Sequence, residues 1–304
     1  MTAGHSRSKR GDFGAALLFL LPNALGFSFF TLFPVAAAVA LSLFDWNLFT
    51  EPRFVGLANF ADLLGFRNTP EGWAPNDPRF WKFTGNTLFL MLGIPVNVAA
   101  SLGLALLLRR GGRLQVTFRT LYFLPSICTG IGIYVMWQWL LNPDSGALNK
   151  ILAVVGIAGP GWLKSYEWAK PGLMLMGLWS AAGGTNMVLY LAGLQNVPPE
   201  LEEAAALDGA GAWGRFRHVV WPCLRPTTFF ILTMGLIHGF QGGFDAAYVM
   251  TRGGPDGSTT TISYYIFQHA FRWFHMGYAA AIAVVLLGVI FVATALNWRW
   301  GSRE

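Results

Sequence analysis

The sequence predicts an all-α integral membrane protein with six transmembrane helices, and three observations carry that reading. The 304 residues are 54% hydrophobic and only 12% charged, against about 25% charged in an average soluble domain. The apolar residues fall in runs long enough, at 1.5 Å per helical residue, to cross roughly 30 Å of hydrocarbon. The basic residues gather in short clusters between those runs, the pattern of loops on the cytoplasmic side. The net charge of +6 therefore has a topological explanation, and nucleic acid is not expected as a partner. Cys128 and Cys223 sit near the ends of different spans and support neither a disulfide framework nor a metal site.

The elements follow in order. A tail over residues 1–12 holds Arg7, Lys9 and Arg10 and precedes a first span over 13–44. A cleaved signal peptide shares these ingredients, but the apolar run is about twice the length of a signal's hydrophobic core. An uncleaved helix, bent at Pro22 and Pro34, is expected. A polar loop from Asp45 to Lys82 leads to a second span over 83–108, followed at once by Arg109, Arg110, Arg113 and Arg119. This is the strongest topological mark in the chain and places the loop in the cytoplasm. The third span covers 121–141, and Asn142-Pro143-Asp144-Ser145-Gly146 opens a second polar loop as a turn. The fourth span, 171–194, carries Gly183 and Gly184, as closely packed membrane helices do. After a polar stretch over 195–228 come a fifth span over 229–250, a third loop from Thr251 to His275, and a sixth span over 276–297. The tail 298–304 opens with the interfacial Trp298-Arg299-Trp300. Twelve Lys and Arg fall inside against nine outside, so close a balance that the arginine cluster decides. Both termini are expected in the cytoplasm.

The polar stretch over 195–228 is the most informative. Pro198-Pro199 starts a helix, Glu200, Glu202 and Glu203 occupy the end where the macrodipole favours carboxylates, and Ala204 to Leu207 continue it. Asp208-Gly209-Ala210-Gly211 stops it, because glycine takes the left-handed conformation of a helix end. A second, basic and aromatic helix is expected from Trp213 to Val220, with Arg215, Arg217 and His218. Such an element has too little apolar surface to fold alone and should dock on a partner, or else lie on the bilayer surface through Trp213 and the arginines.

These residues resemble the permease subunits of bacterial binding-protein-dependent ABC importers, in the carbohydrate branch that includes the maltose and glycerol-phosphate types. The family's cytoplasmic signature runs Glu-Ala-Ala, three residues, Gly, nine residues, Ile, one residue, Leu-Pro. Glu203, Ala204, Ala205, Gly209 and Pro222 fit it, while Val219 stands for Ile and Trp221 for Leu. The resemblance extends to Phe54–Phe60, to Phe118-Arg119 through Pro125, and to Thr251-Arg252-Gly253-Gly254-Pro255 through Thr259-Thr260 and Tyr265-Ile266-Phe267. It implies a type I ABC importer permease fold in the bacterial cytoplasmic membrane, with a coupling helix for a separate ATPase formed by Glu203, Ala204, Ala205, Asp208, Gly209 and Pro222. It also implies as partners a second homologous permease, two ATPase subunits and an extracytoplasmic solute-binding protein, and a sugar as the substrate. The sequence itself contains no Gly-x-x-x-x-Gly-Lys-Ser/Thr. No cofactor is expected in this chain; ATP and Mg belong to the partner ATPase.

Within the spans, His238, Gln241, Asp245 and Tyr248 are spaced to fall on one helix face. An Asp at the centre of a membrane helix costs about 2.5 to 3.5 kcal/mol, so it should face a polar cavity or a partner. A sugar needs such groups, since each hydroxyl that leaves water must find a hydrogen bond. These four are candidate pathway residues, or else a structural network between helices. Tyr134, Trp137, Gln138, Asn186 and Tyr190 are weaker candidates. No arginine lies within the spans, which points to a neutral sugar. Two other classes stay open: an integral-membrane lipid or sugar transferase, whose acids would be Glu200, Glu202, Glu203 and Asp208, and a secondary transporter using Asp245 and His238.

Overall fold

The computed structural model describes residues 9–70, 72–109, 112–127 and 130–301. Arg7, Arg110, Cys128 and the outermost parts of both tails lie outside the described residues. α1 (Lys9–Phe27) and α2 (Phe33–Leu41) make the first apolar helix, which starts inside the expected tail and stops short of residue 44. Pro22 lies within α1, so the bend expected there is not a break. Ser28–Leu32 is a wider π turn. Pro34 has no N–H to return to the preceding turn, and the ladder widens just before it.

The first polar loop carries short strands and a helix. β1 (Phe44–Asp45) pairs with β2 (Arg53–Phe54), α3 (Ala58–Leu64) follows, and β3 (Phe66–Thr69) and β4 (Gly72–Pro75) form a hairpin. The buried Asn59 amide donates to the carbonyls of Ser42 at 2.8 Å and Phe44 at 3.0 Å, fixing α3 to the end of the first helix.

α4 (Pro78–Met91) and α5 (Gly93–Leu107) make the second span. It begins before residue 83 because Asp77 caps it: Oδ1 accepts from the Phe80 N–H at 3.0 Å, and Pro78 takes the first turn. α6 (Arg113–Ile127) and α7 (Ile131–Leu140) meet at 104°, which corrects the expectation of one helix over 121–141. Gly130 at the junction has φ 91°, outside helical geometry. Arg119, assigned to a loop by composition, lies on α6, and its Nε donates to the Leu108 carbonyl at 3.1 Å, satisfying the end of α5.

α8 (Ala147–Val154) lies in the second polar loop, after a turn in which Asn142 Oδ1 accepts from the N–H groups of Asp144 and Ser145. α9 (Tyr166–Ala182) and α10 (Thr185–Gln195) fill the fourth span, broken at Gly183-Gly184. A Cβ on Gly183 would overlap the Tyr122 carbonyl of α6, so only glycine permits this approach.

α11 (Pro199–Leu207) occupies the expected position. The basic segment after it is not a separate helix. α12 (Ala212–Arg215) runs through a π turn at Phe216–Val220 into α13 (Trp221–Gln241), and Gly214, inside α12, does not stop it. As at Pro34, the π turn ends just before a proline, here Pro222. α14 (Phe244–Ala246) continues as a π turn through Thr251. The third polar loop contains α15 (Ile262–Phe267), extended by a π turn through Arg272, and α16 (Met276–Gly301) is the sixth span.

By length and composition four described helices can cross a bilayer, and five when α6 and α7 count as one bent span. The count of six also requires α9 and α10 to act together. One core joins α5, α10 and α13 around Leu102, Met187 and Leu224; another joins α4, α15 and α16 around Phe83, Tyr265 and Ile282. A third, around Trp137, Leu173 and Met250, joins α7 to α9.

Candidate coupling loop and translocation cavity

The loop is built as its residues dictate. Glu202, in the first turn of α11, forms an ion pair with Arg109 at the end of α5 and so ties the loop to the bundle. Glu203 is exposed, with no ion pair among the described residues. Ala204 is exposed and Ala205 half-buried. No residue of α11 is buried, and Leu207 is 89% exposed. Asp208 closes the helix and Gly209 takes φ 83°. The Gly209 N–H donates to the Ala206 carbonyl at 3.1 Å and the Ala210 N–H to Ala205 at 2.9 Å, the paired bonds of a Schellman end. The arrangement leaves a short helix exposed, with a free carboxylate, small side chains and an apolar tip. Pro222 lies in the first turn of α13, away from that tip.

The candidate pathway residues are not on one face. Helix α13 ends at Gln241, and Gly242-Gly243, with Gly243 at φ 79°, resets the helical phase before Asp245 and Tyr248. Gln241 instead lines an apolar groove with Val35 and Val39 of α2 and Leu287 of α16. Tyr248 joins an aromatic cluster, stacked 5.6 Å from Phe244, and the Arg272 guanidinium lies 5.9 Å from the Tyr248 ring centre. Asp245 is exposed and lies within electrostatic range of Tyr134 on α7. Trp137 is buried in the core, edge-on to Trp179, and Gln138 donates to the Met250 carbonyl at 3.2 Å. Tyr190 is fully buried and donates to Thr228 Oγ1 at 3.1 Å, a bond between α10 and α13.

Two candidates do converge. His238 and Asn186 line one cavity of about 660 Å³ between α5, α9, α10 and α13, with Asn97 on its third side. Asn97 Oδ1 is buried without a hydrogen-bond partner, an acceptor held ready in an otherwise apolar wall. Sequence reasoning missed Asn97, whose only signal was its being one of two amides, with Asn86, inside the apolar second span.

At the opposite end of the bundle from Arg109, Asp77 Oδ2 accepts from the hydroxyls of Tyr265 at 2.8 Å and Tyr278 at 2.7 Å. Burial and the carboxylate together push the Tyr265 phenol above its usual range. His269, 8% exposed, sits edge-on to Tyr265 and Trp273 with both ring nitrogens unpaired. Burial, then the neighbouring His275, lowers its pKa to about 4, against a smaller opposing pull from Asp77. Lys170 Nζ donates to Asn86 Oδ1 at 3.1 Å, while the Asn86 amide donates to the carbonyls of Gly257 and Thr260. These contacts seat the buried turn Ser258–Thr261 against α4 and α9.

Residues 97–298 match the family described as the binding-protein-dependent transport system inner membrane component. The chain is 34% identical over 302 residues to the probable ABC transporter permease protein YesP of Bacillus subtilis, covering 98% of this chain and 93% of that protein. It is 32% identical to the lactose transport system permease protein LacF of Rhizobium radiobacter, over 94% of this chain and 93% of the other. A subunit of a bacterial alginate ABC transporter, solved in complex with an alginate pentasaccharide-bound periplasmic protein, superposes with a TM-score of 0.80. That match covers 97% and 96% of the two chains at 23% identity and shows the shared fold.

Proposed function

Because this chain belongs to the binding-protein-dependent transport system inner membrane component family, we propose that it forms half of the translocation pathway of an ATP-driven sugar importer. The observation that carries the coupling role is α11, which closes on itself with a Schellman end yet buries none of its residues. Glu203 and the small Ala204 and Ala205 would seat in a groove of a separate ATPase subunit, with the Arg109–Glu202 pair passing the motion into α5. ATP and Mg would be held by that ATPase, present in two copies. A second homologous permease would complete the pathway, and a solute-binding protein would deliver the sugar from the far side. This reading puts α11 and both termini in the cytoplasm.

The cavity of Asn97, Asn186 and His238 is proposed to line the pathway, since its amides and imidazole can exchange hydrogen bonds with hydroxyls. Among these three no side chain is a fixed cation, which suits a neutral sugar better than a phosphate. The family is a transport component, so the enzyme and secondary-transporter readings have no support.

The test of coupling is Glu203→Lys and Gly209→Val in the assembled importer. The first reverses the charge offered to the ATPase. The second strains the helix end by roughly 1–2 kcal/mol without a side-chain clash, since a Cβ on Gly209 meets nothing within 4 Å. Both should release the ATPase on purification and abolish uptake in cells while the chain stays in the membrane. Normal ATPase retention and uptake in both variants would sink the coupling role.

A further inference from the structure

A second groove, of about 780 Å³, lies where α5 meets the start of the α12–α13 helix. Its floor is Ala99, Leu102, Gly103 and Leu106, one apolar face of α5 at helical spacing. Its rim is of the opposite character: Arg109, Arg215 and Trp213 stand at the end of the trough beside the coupling loop. Trp213 is 68% exposed and stacks on Phe216 at 5.4 Å. Arg215 Nε is buried and has no hydrogen-bond partner. Glu202 neutralises Arg109, so Arg215 leaves the rim with an uncompensated positive charge.

A trough that is apolar along a membrane helix, basic at its interfacial end and bordered by an exposed tryptophan has the polarity of one phospholipid molecule. We propose that this groove binds an anionic phospholipid, its phosphate on Arg215 and one acyl chain along the Ala99–Leu106 face. The Arg215 guanidinium supplies the donors that a phosphate oxygen needs, and the ring of Trp213 lies at headgroup level. The lipid would bridge α5 to the root of the coupling helix beside the Arg109–Glu202 pair, making that joint sensitive to the charge of the surrounding leaflet. The proposal goes beyond the transport reading and requires only that α5 crosses the bilayer, so a failed uptake assay leaves it standing.

The experiment uses the complex with all its subunits, reconstituted in nanodiscs of equal parts phosphatidylcholine and phosphatidylglycerol and ejected into a native mass spectrometer. Wild type should retain phosphatidylglycerol in preference to phosphatidylcholine. Arg215→Gln should lower that retention about fivefold, the effect of one basic residue worth roughly 1 kcal/mol at a membrane surface. Gly103→Leu should lower it as well by filling the trough; a Cβ there meets nothing within 4 Å, so the variant should fold. Arg217→Gln changes the same net charge on an exposed residue outside the groove and should retain the lipid. Equal loss in Arg217→Gln, or full retention in both Arg215→Gln and Gly103→Leu, would overturn the proposal. So would high-yield disulfide cross-linking from Gly103→Cys to a second permease, which would mean that protein, not lipid, covers the trough.

Discussion

His269 is the clearest case of a side chain whose chemistry is set by its position. Its imidazole is packed among Tyr265, Trp273 and Tyr278 with neither nitrogen paired, and its pKa is lowered to about 4. Burial is the main cause, followed by His275; Asp77 raises the value and Arg79 lowers it by smaller amounts. The unfolded histidine, near 6.5, binds a proton over a range where the folded one does not, so acidification favours the unfolded side. Stability contributed by the neutral ring is complete above about pH 6.5 and is lost progressively toward pH 4, about 2 kcal/mol of it between pH 7 and pH 5. Amide exchange across residues 262–278 should therefore accelerate from pH 7 to pH 5 beyond its intrinsic pH dependence. His269→Gln, which removes the titration, should flatten that added response, and an unchanged slope would refute the assignment.

At the scale of the element, glycines and prolines decide where helices touch, widen or stop. A Cβ on Gly277 would overlap the Phe44 carbonyl, a backbone atom that cannot swing aside, whereas a Cβ on Gly288 of the same helix meets nothing within 4 Å. Gly277→Ala should lower the thermal midpoint of the solubilised protein, consistent with overpacking costs of roughly 1–3 kcal/mol, and Gly288→Ala should leave it in place. Elements of this kind differ in how far the sequence announces them. Helix α11 was legible because its start and stop are local signals: two prolines, early carboxylates, and a glycine at the left-handed position. The pathway face of the fifth span was misread because its argument assumed unbroken helical phase, which Gly242-Gly243 interrupts. The bend between α6 and α7 was missed because the length of the apolar stretch decided the span, although Pro125 and Gly130 interrupt it there. Asn59, Asn86, Asn97 and Asp77 could not be placed at all, since each acts through partners or walls distant in sequence. The family resemblance marked the segments around Asn59 and Thr259 without saying what they hold; the structure shows buried polar groups clamping them to neighbouring helices.

As a whole molecule the chain is an incomplete solid. Leu17–Leu41 passes as a membrane span with none of its most apolar window buried, and α11 ends in a leucine almost wholly exposed. Surfaces of this kind are stable only when lipid or other subunits cover them. Extracted without its partners, the chain should aggregate at a lower temperature than when co-purified with them, measured by fluorescence-detected size-exclusion after a heating series. Equal midpoints would show that the bundle is self-sufficient. The membrane fold class was readable in advance because apolar run length and basic clusters report on the bilayer, and the transport role because the Glu203–Pro222 segment resembles a permease signature. The interior pathway was not, because it depends on which faces meet.

The continuity of α12 with α13 has a mechanical consequence. From Ala212 to Gln241 the backbone runs as one rod of about 45 Å. A tilt of only about 5° at its Ala212 end sweeps the far end by about 4 Å at that length. The helical backbone first breaks at Gly242-Gly243, so under the proposed coupling role a stroke delivered at the Ala212 end would be geared up along the rod and released at that glycine pair, beside Asp245.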